Sequence, residues 1–131
     1  MAATEQTLDM ASPSAPAAAG VAGRYAKALL DLADDRRGTD PGATDRIGAE
    51  LEALFALCRD NADMRAFIAD PRFNAGIQRD RMFKILDSAG IKAEVRNLIG
   101  VLIANRRLSA LPAVASAFGG LIAARRGQQT A

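Results

Sequence analysis

Apolar residues recur along this chain at intervals of three and four, in six stretches separated by polar or glycine-rich breaks. In residues 21–33, VAGRYAKALLDLA, the residues Val21, Tyr25, Leu29 and Leu32 follow at intervals of four, four and three, which places them on one helix face. Ala22, Ala26 and Ala33 lie beside them and are small enough to let a second helix approach closely. The spacing predicts a first helix over 21–35, and Gly38, Thr39, Asp40, Pro41 and Gly42 predict a loop after it. The clearest stripe comes next. Ile47, Leu51, Leu54, Phe55 and Cys58 predict a helix over 44–59, with Thr44 as its N-cap and Asp45 suited to the helix dipole. A short helix over 62–69 follows, capped by Asn61 and turning Met64, Phe67 and Ile68 inward. It ends at Asp70-Pro71, because the residue before proline is pushed out of helical dihedrals.

Asn74 caps a fourth predicted helix over 75–88, in which Met82, Ile85, Leu86 and Ala89 form the stripe and Gly90 is the stop. In the fifth, over 92–105, Val95, Leu98, Ile99 and Leu102 form one stripe while Val101 and Ile103 lie off it. A helix apolar on two sides needs a neighbour on two sides, one of which can be a partner. The sixth, over 109–126, has Ser109 as cap, Pro112 in the first turn and Leu111, Val114, Ala115, Phe118 and Ile122 as its stripe. Gly119-Gly120 predicts a kink, a tight helix crossing or fraying there, at about 1 kcal/mol per glycine relative to alanine. No stretch has the alternation of a strand, and no internal repeat is present. The expected fold is all-α: a compact six-helix bundle over 21–127. Residues 1–20, MAATEQTLDMASPSAPAAAG, cannot bury enough apolar surface to offset their ordering entropy and are expected to form a flexible tail; 128–131 form a short C-terminal tail.

Charge refines this picture more than bulk composition does. The formal net charge is +2, yet residues 1–60 carry six basic against ten acidic groups, whereas 91–131 carry six basic against one acidic, Glu94. Lys92, Arg96, Arg106, Arg107, Arg125 and Arg126 therefore form either a solvated face or a patch for nucleic acid, anionic lipid or an acidic partner. Arg106-Arg107 and Arg125-Arg126 also suit helix ends, where cations complement the dipole. No stretch reads as long and apolar enough to span a membrane, and the first twenty residues lack the marks of a signal peptide or presequence. A reducing, cytoplasmic compartment is the default.

The chemical inventory is thin. There is no histidine, so the commonest general base and metal ligand is missing. The single cysteine, Cys58, excludes an internal disulfide and lies on an apolar stripe, where it reads as a core residue. Phosphate-loop and dinucleotide motifs are absent. Asp31, Asp34 and Asp35 near a helix end read as solvated acids rather than cation ligands. Asp80 and Asp87, with Arg79, Arg81 and Lys84 close by, read as surface ion pairs. No metal site and no cofactor is expected. From the residues alone the chain is a small all-helical interaction module and not an enzyme.

Two stretches carry a family resemblance. YAKALLDLA, residues 25–33, resembles the first helix of the delta subunit of bacterial F-type ATP synthase, the oligomycin-sensitivity-conferring protein family. NLIGVLIANRRLSALPAVASAF, residues 97–118, resembles the fifth and sixth helices of the same family. The likeness spans roughly 21–127 and implies the family's N-terminal six-helix domain. It implies a non-catalytic stator part that binds the N-terminal helix of an alpha subunit in a groove between helices one and five, linking the catalytic head to the peripheral stalk. Carried over by position, Tyr25 matches the family's helix-one tyrosine and Ala28 the small residue one turn on. Val101 matches the apolar groove position on helix five, with Asn97 and Ala104 on the same face. Leu29 and Leu32 can line either the groove or the core. The resemblance also implies a peripheral place on the cytoplasmic face of a bacterial inner membrane, with no nucleic acid and the membrane met only through the complex.

Three features depart from the family. Its smaller C-terminal domain, which meets the stalk b subunits, is missing before Ala131; either the sequence is part of a longer protein or that contact is lost. Gly119-Gly120 is unexpected mid-helix, and the tail of residues 1–20 is longer than the family needs. The alternative reading is an RNA-binding helical module of the transcription-antitermination type, which rests on the basic C-terminal region. Steep salt dependence would mark it.

Overall fold

The structure, a computed structural model, describes residues 20–91 and 93–130, with side chains described through Gly127. The tail expected over 1–20 lies outside these residues except for Gly20. Six α-helices are present among the described residues: α1 (Gly20–Asp35), α2 (Ala43–Asp60), α3 (Ala62–Ala69), α4 (Ala75–Ala89), α5 (Glu94–Ala104) and α6 (Leu111–Thr130). A 3-10 turn over Leu108–Ala110 joins the last two. The helical bundle is as expected, although α6 runs on into the residues read as a C-terminal tail.

The ends follow local chemistry at three places. Asn61 accepts from the Met64 amide at 3.0 Å and Asn74 from the Ile77 amide at 2.9 Å, each satisfying a helix-start donor. Gly90 stops α4 in the left-handed region at φ 73°, which glycine adopts without a Cβ penalty. Thr44 is not a cap. Helix α2 begins one residue earlier, after Gly42, and leaves the Thr44 hydroxyl buried with no hydrogen-bond partner among the described residues. Ser109 lies inside the 3-10 turn rather than at the head of α6.

Helix α6 is the element against which α1 and α2 pack, while α4 pairs with α5 and α3 sits on α2 and the 3-10 turn. Leu111, Val114, Ala115, Ala117 and Phe118 of α6 are buried, and side chains of this size contribute roughly 1.5–3 kcal/mol each when fully buried, alanine less. By length and composition the segment Leu108–Gly127 could cross a membrane, contrary to the sequence reading. In the fold it is a core helix of the bundle: its apolar face meets α1 and α2, and its far end carries Arg125 and Arg126, paired with Asp34 and Asp45.

Helix α1 turns a different face inward from the one expected. Its buried residues are Gly23, Ala26, Leu29, Leu30 and Ala33. Val21 and Tyr25 are half-buried, and Leu32 is 36% exposed. Small residues govern because α1 lies against α6, α2 and α5, and close approach favours Gly and Ala at the contact. Elsewhere the stripes hold in part: Phe55, Phe67, Ile85 and Ile122 are half-buried at their edges, and Ala89, at the end of α4, is exposed. Ile47, Leu51, Leu54 and Cys58 are buried on α2, Met64 and Ile68 on α3, and Met82 and Leu86 on α4. On α5, Ile103 joins Val95, Leu98, Ile99 and Leu102 in the core.

Helix α6 passes through Gly119-Gly120 without interruption. A Cβ at Gly119 would meet nothing within 4 Å. Gly119→Ala is therefore expected to stabilise the bundle by about 1 kcal/mol, the helix-propensity difference, read as a higher urea midpoint with unchanged slope.

A carboxylate noted in the sequence only as the one acidic group of residues 91–131 anchors α5. Glu94, in its first turn, is 3% exposed. Arg46 of α2 donates to it at 3.0 Å, and Arg36 lies at 3.7 Å. Arg46 also holds Asp40 at 3.1 Å and Glu50 at 3.6 Å, so one guanidinium ties α2, α5 and the loop after α1 together. Burial pushes the Glu94 carboxyl up. Its backbone hydrogen bond, Arg46 and Arg36 outweigh that and leave it below the ordinary value of 4.5. Burial raises Glu50, and the neighbouring Glu94 adds to that against the pull of Arg46. The two act in opposite directions on stability. Glu94 contributes above its unfolded value and loses that contribution as pH falls through its folded one. Glu50 contributes below its unfolded value and loses that contribution as pH rises through its folded one. The expectation is that Glu50→Gln raises the urea midpoint near neutral pH, with the gain gone by about pH 3.5, whereas Glu94→Gln lowers it near neutral pH.

A candidate helix-docking face on α1 and α5

The seven residues singled out from the sequence divide by placement. Tyr25, Ala28 and Leu32 share one face of α1 at i, i+3 and i+7. Asn97, Val101 and Ala104 share one face of α5 at i, i+4 and i+7. Ala28, Asn97 and Ala104 are exposed, as is Leu32, and Val101 is 47% exposed. Leu29 does not belong with them: it is 4% exposed and part of the core, which resolves its groove-or-core alternative. Among the described residues the large apolar side chains with such exposure are Leu32, Ile77 and Val101, so two of the three lie on these two helices.

Helices α1 and α5 are in contact, and one side-chain bond pins them. The Asn105 amide, just past α5, donates to the Tyr25 hydroxyl at 2.8 Å. Tyr25 is half-buried against the core and holds its polar tip at the surface. A depression of about 400 Å³ opens beside it, lined by Val21, Arg24, Tyr25, Ala28 and Arg107. It brings Tyr25 and Ala28 together, while Asn97, Val101 and Ala104 lie outside it. Sequence reasoning missed Asn105 and Arg24, and it read Arg107 only as part of a basic C-terminal region. For Asn105 a signal existed, since it continues the i+4 row of Asn97 and Val101.

This face has no catalytic constellation. The Cys58 thiol is 2% exposed, and burial pushes it up, away from the thiolate a nucleophile needs. Asp31 pairs with Lys27 at 2.9 Å, and Asp34 receives both Arg125 guanidinium nitrogens at 2.9 Å. What the face offers is chemistry for a helix: small residues for close approach, apolar side chains to cover, polar groups at the rim.

The C-terminal cations are mostly engaged elsewhere. Arg106, just past the end of α5, donates to the Phe73 carbonyl at 3.0 Å and to Gln78 at 3.3 Å, and so braces that end against α4 and the loop before it. Arg125 and Arg126 join α6 to the end of α1 and the start of α2. Arg96 pairs with Asp87 and lies over the Phe83 ring at 4.2 Å. Asp87 is therefore paired across helices and not along its own, and Arg79 and Arg81 stack on Phe83, Phe67 and Phe73. Arg96, Arg106, Arg125 and Arg126 of the basic C-terminal region are thus engaged with groups of this chain, and Arg107 is exposed. A larger depression of about 680 Å³ lies between α3 and α4, with Met64, Phe67 and Ile85 among its walls.

Residues 21–131 match the family described as the ATP synthase delta (OSCP) subunit. A relative named "ATP synthase subunit delta" from a Bradyrhizobium species is 39% identical over 116 residues, covering 88% of this chain and 60% of the relative. Relatives of the same name from Rhodospirillum rubrum and Xanthobacter autotrophicus are 41% and 40% identical over 112 residues, 86% of this chain and 58% and 53% of their own lengths. The chain thus spans a little over half the length of these relatives. With its helices and both resembling stretches inside the matched span, the chain belongs to the ATP synthase delta (OSCP) subunit family.

Proposed function

We propose that this chain is a non-catalytic stator part of an F-type ATP synthase, and that its α1/α5 face holds the N-terminal helix of an alpha subunit. The stator assignment rests on family membership. The binding site rests on Val101, which is 47% exposed on a helix whose other large apolar residues are all buried. A single exposed valine is ordinary; what supports the reading is that Val101 is exposed together with Ala104 on α5 and with Ala28 and Leu32 on α1, the helix in contact with it. The partner helix lays apolar anchors at i, i+3, i+4 and i+7 over Ala28, Leu32, Val101 and Ala104, with Tyr25 and Asn97 at the rim. A stator transmits torque without sliding, so it needs a rigid bundle and a slow off-rate and no bond chemistry. Contact with the stalk b subunits belongs to the family's second domain. The complex places the chain at the cytoplasmic face of a bacterial inner membrane.

The test is a titration of a synthetic peptide from the N-terminus of the cognate alpha subunit, followed by amide shifts. Shifts are expected on α1 and α5, with affinity nearly independent of salt. Shifts confined to the other helices would remove the assignment. A steep loss of affinity with salt would point instead to phosphate-like recognition.

A further inference from the structure

We propose that residues 1–19 dock on the α1/α5 face of their own molecule, setting Glu5 and Asp9 against Arg24 and Arg107, and so compete with an incoming helix. The proposal rests on the reading of that face as a docking site. Its first support is the state of the two arginines. Both are exposed and line the depression beside Tyr25, and neither side chain has an ion-pair or hydrogen-bond partner among the described residues. By contrast, Arg36, Arg46, Arg96 and Arg125 each face a carboxylate on another element. The second support is charge: residues 1–19 carry Glu5 and Asp9 and no lysine or arginine. Leu8 and Met10, on either side of Asp9, are apolar residues able to cover Ala28, Leu32 or Val101.

The third support is reach. The chain enters α1 at Gly20, next to Val21 of the depression. Ala28 lies about 12 Å further along the helix axis. The ten residues from Met10 to Gly20 span up to roughly 33 Å, so the acidic segment reaches the arginines without strain. A tether this short gives an effective concentration of order millimolar, which populates a contact too weak to form between separate molecules. Exposed ion pairs are individually weak, so occupancy is partial and salt-sensitive. If the segment covers the face about four-fifths of the time, the apparent dissociation constant of a partner helix rises about fivefold.

The test uses the full chain with Ser12→Cys carrying a nitroxide. Cys58, buried and with its thiol pushed up, stays unlabelled. Broadening of the Arg24, Ala28, Val101 and Arg107 amides is expected, and its loss when Glu5→Lys and Asp9→Lys are added. Identical broadening in the two chains, or broadening centred on Met64, Phe67 and Ile85, overturns the proposal. So does broadening of an unlabelled chain mixed with labelled ones, which would make a second copy the occupant. The alpha-subunit peptide then separates the two readings. It should bind the doubly substituted chain about fivefold more tightly. Equal affinity for the two chains overturns the competition and leaves the docking face standing. Binding to neither, with the broadening intact, sustains the intramolecular contact and removes the alpha-subunit reading.

Discussion

Val101→Arg is expected to weaken binding of the alpha-subunit N-terminal peptide by roughly 50-fold, because it sets a charge where an apolar anchor would otherwise be covered. The fold should tolerate the change. Val101 is 47% exposed and outside the core, and substitutions at such positions usually alter stability by less than about 0.5 kcal/mol. Fluorescence anisotropy with a labelled peptide reads the affinity, and a thermal melt reads the fold. Unchanged affinity with an unchanged melt would place the partner elsewhere. Tyr25→Ala is the companion. It removes the bond to Asn105 that pins α1 to α5, so it should lower affinity and stability together. A loss of stability alone would make Tyr25 purely structural.

Phe118→Ala should be strongly destabilising. Phe118 is 1% exposed on α6, and a Cβ built on Gly48 of α2 would sit 3.7 Å from its Cε1, so the ring fills the contact between those helices. Truncating a fully buried phenylalanine costs about 3–5 kcal/mol, the transfer of the ring plus the cavity left behind. A small domain has about 5–15 kcal/mol in total. The urea midpoint should fall by about a fifth or more, and peptide binding should fall only to the extent that the bundle is unfolded. A loss below about 1 kcal/mol would mean that α1 and α2 collapse into the space. The contrast with Val101→Arg is the practical one: one substitution acts on the partner and the other on the scaffold.

The helices of this chain were readable because each stripe is local. Ile47, Leu51, Leu54 and Cys58 fall on one side of α2 whatever else the protein does. Asn61 and Asn74 cap because an asparagine side chain satisfies amides only two or three residues away. Helix α1 resisted the same reading. Its large residues suggested a core through Val21, Tyr25, Leu29 and Leu32; of these only Leu29 is buried, and Leu30 joins it there with the small Gly23, Ala26 and Ala33. Periodicity weighs side chains by size, whereas a close helix crossing selects for the lack of it. Val101 and Ile103 show a second limit. Both lie off the main α5 stripe, but one is 47% exposed and the other fully buried. Which of two off-stripe residues faces a neighbour depends on where the neighbour sits.

The sequence by itself determined an all-helical bundle, its helix count, most of its caps, the lack of a histidine-based site and the family to which the chain belongs. Those properties depend on residue type and on spacings within about one or two turns. Only the tertiary structure decided which face of α1 is left outside, that Leu29 is core, and that Arg46 gathers Glu94, Asp40 and Glu50 around one guanidinium. It alone paired Arg125 with Asp34 and Arg126 with Asp45, leaving Arg24 and Arg107 beside Tyr25 with no carboxylate among the described residues. These are contacts between residues up to 91 positions apart, such as Asp34 and Arg125. A local pattern fixes how each helix is built. It does not fix which helix lies across from it, and here that choice separates a buried face from an exposed one.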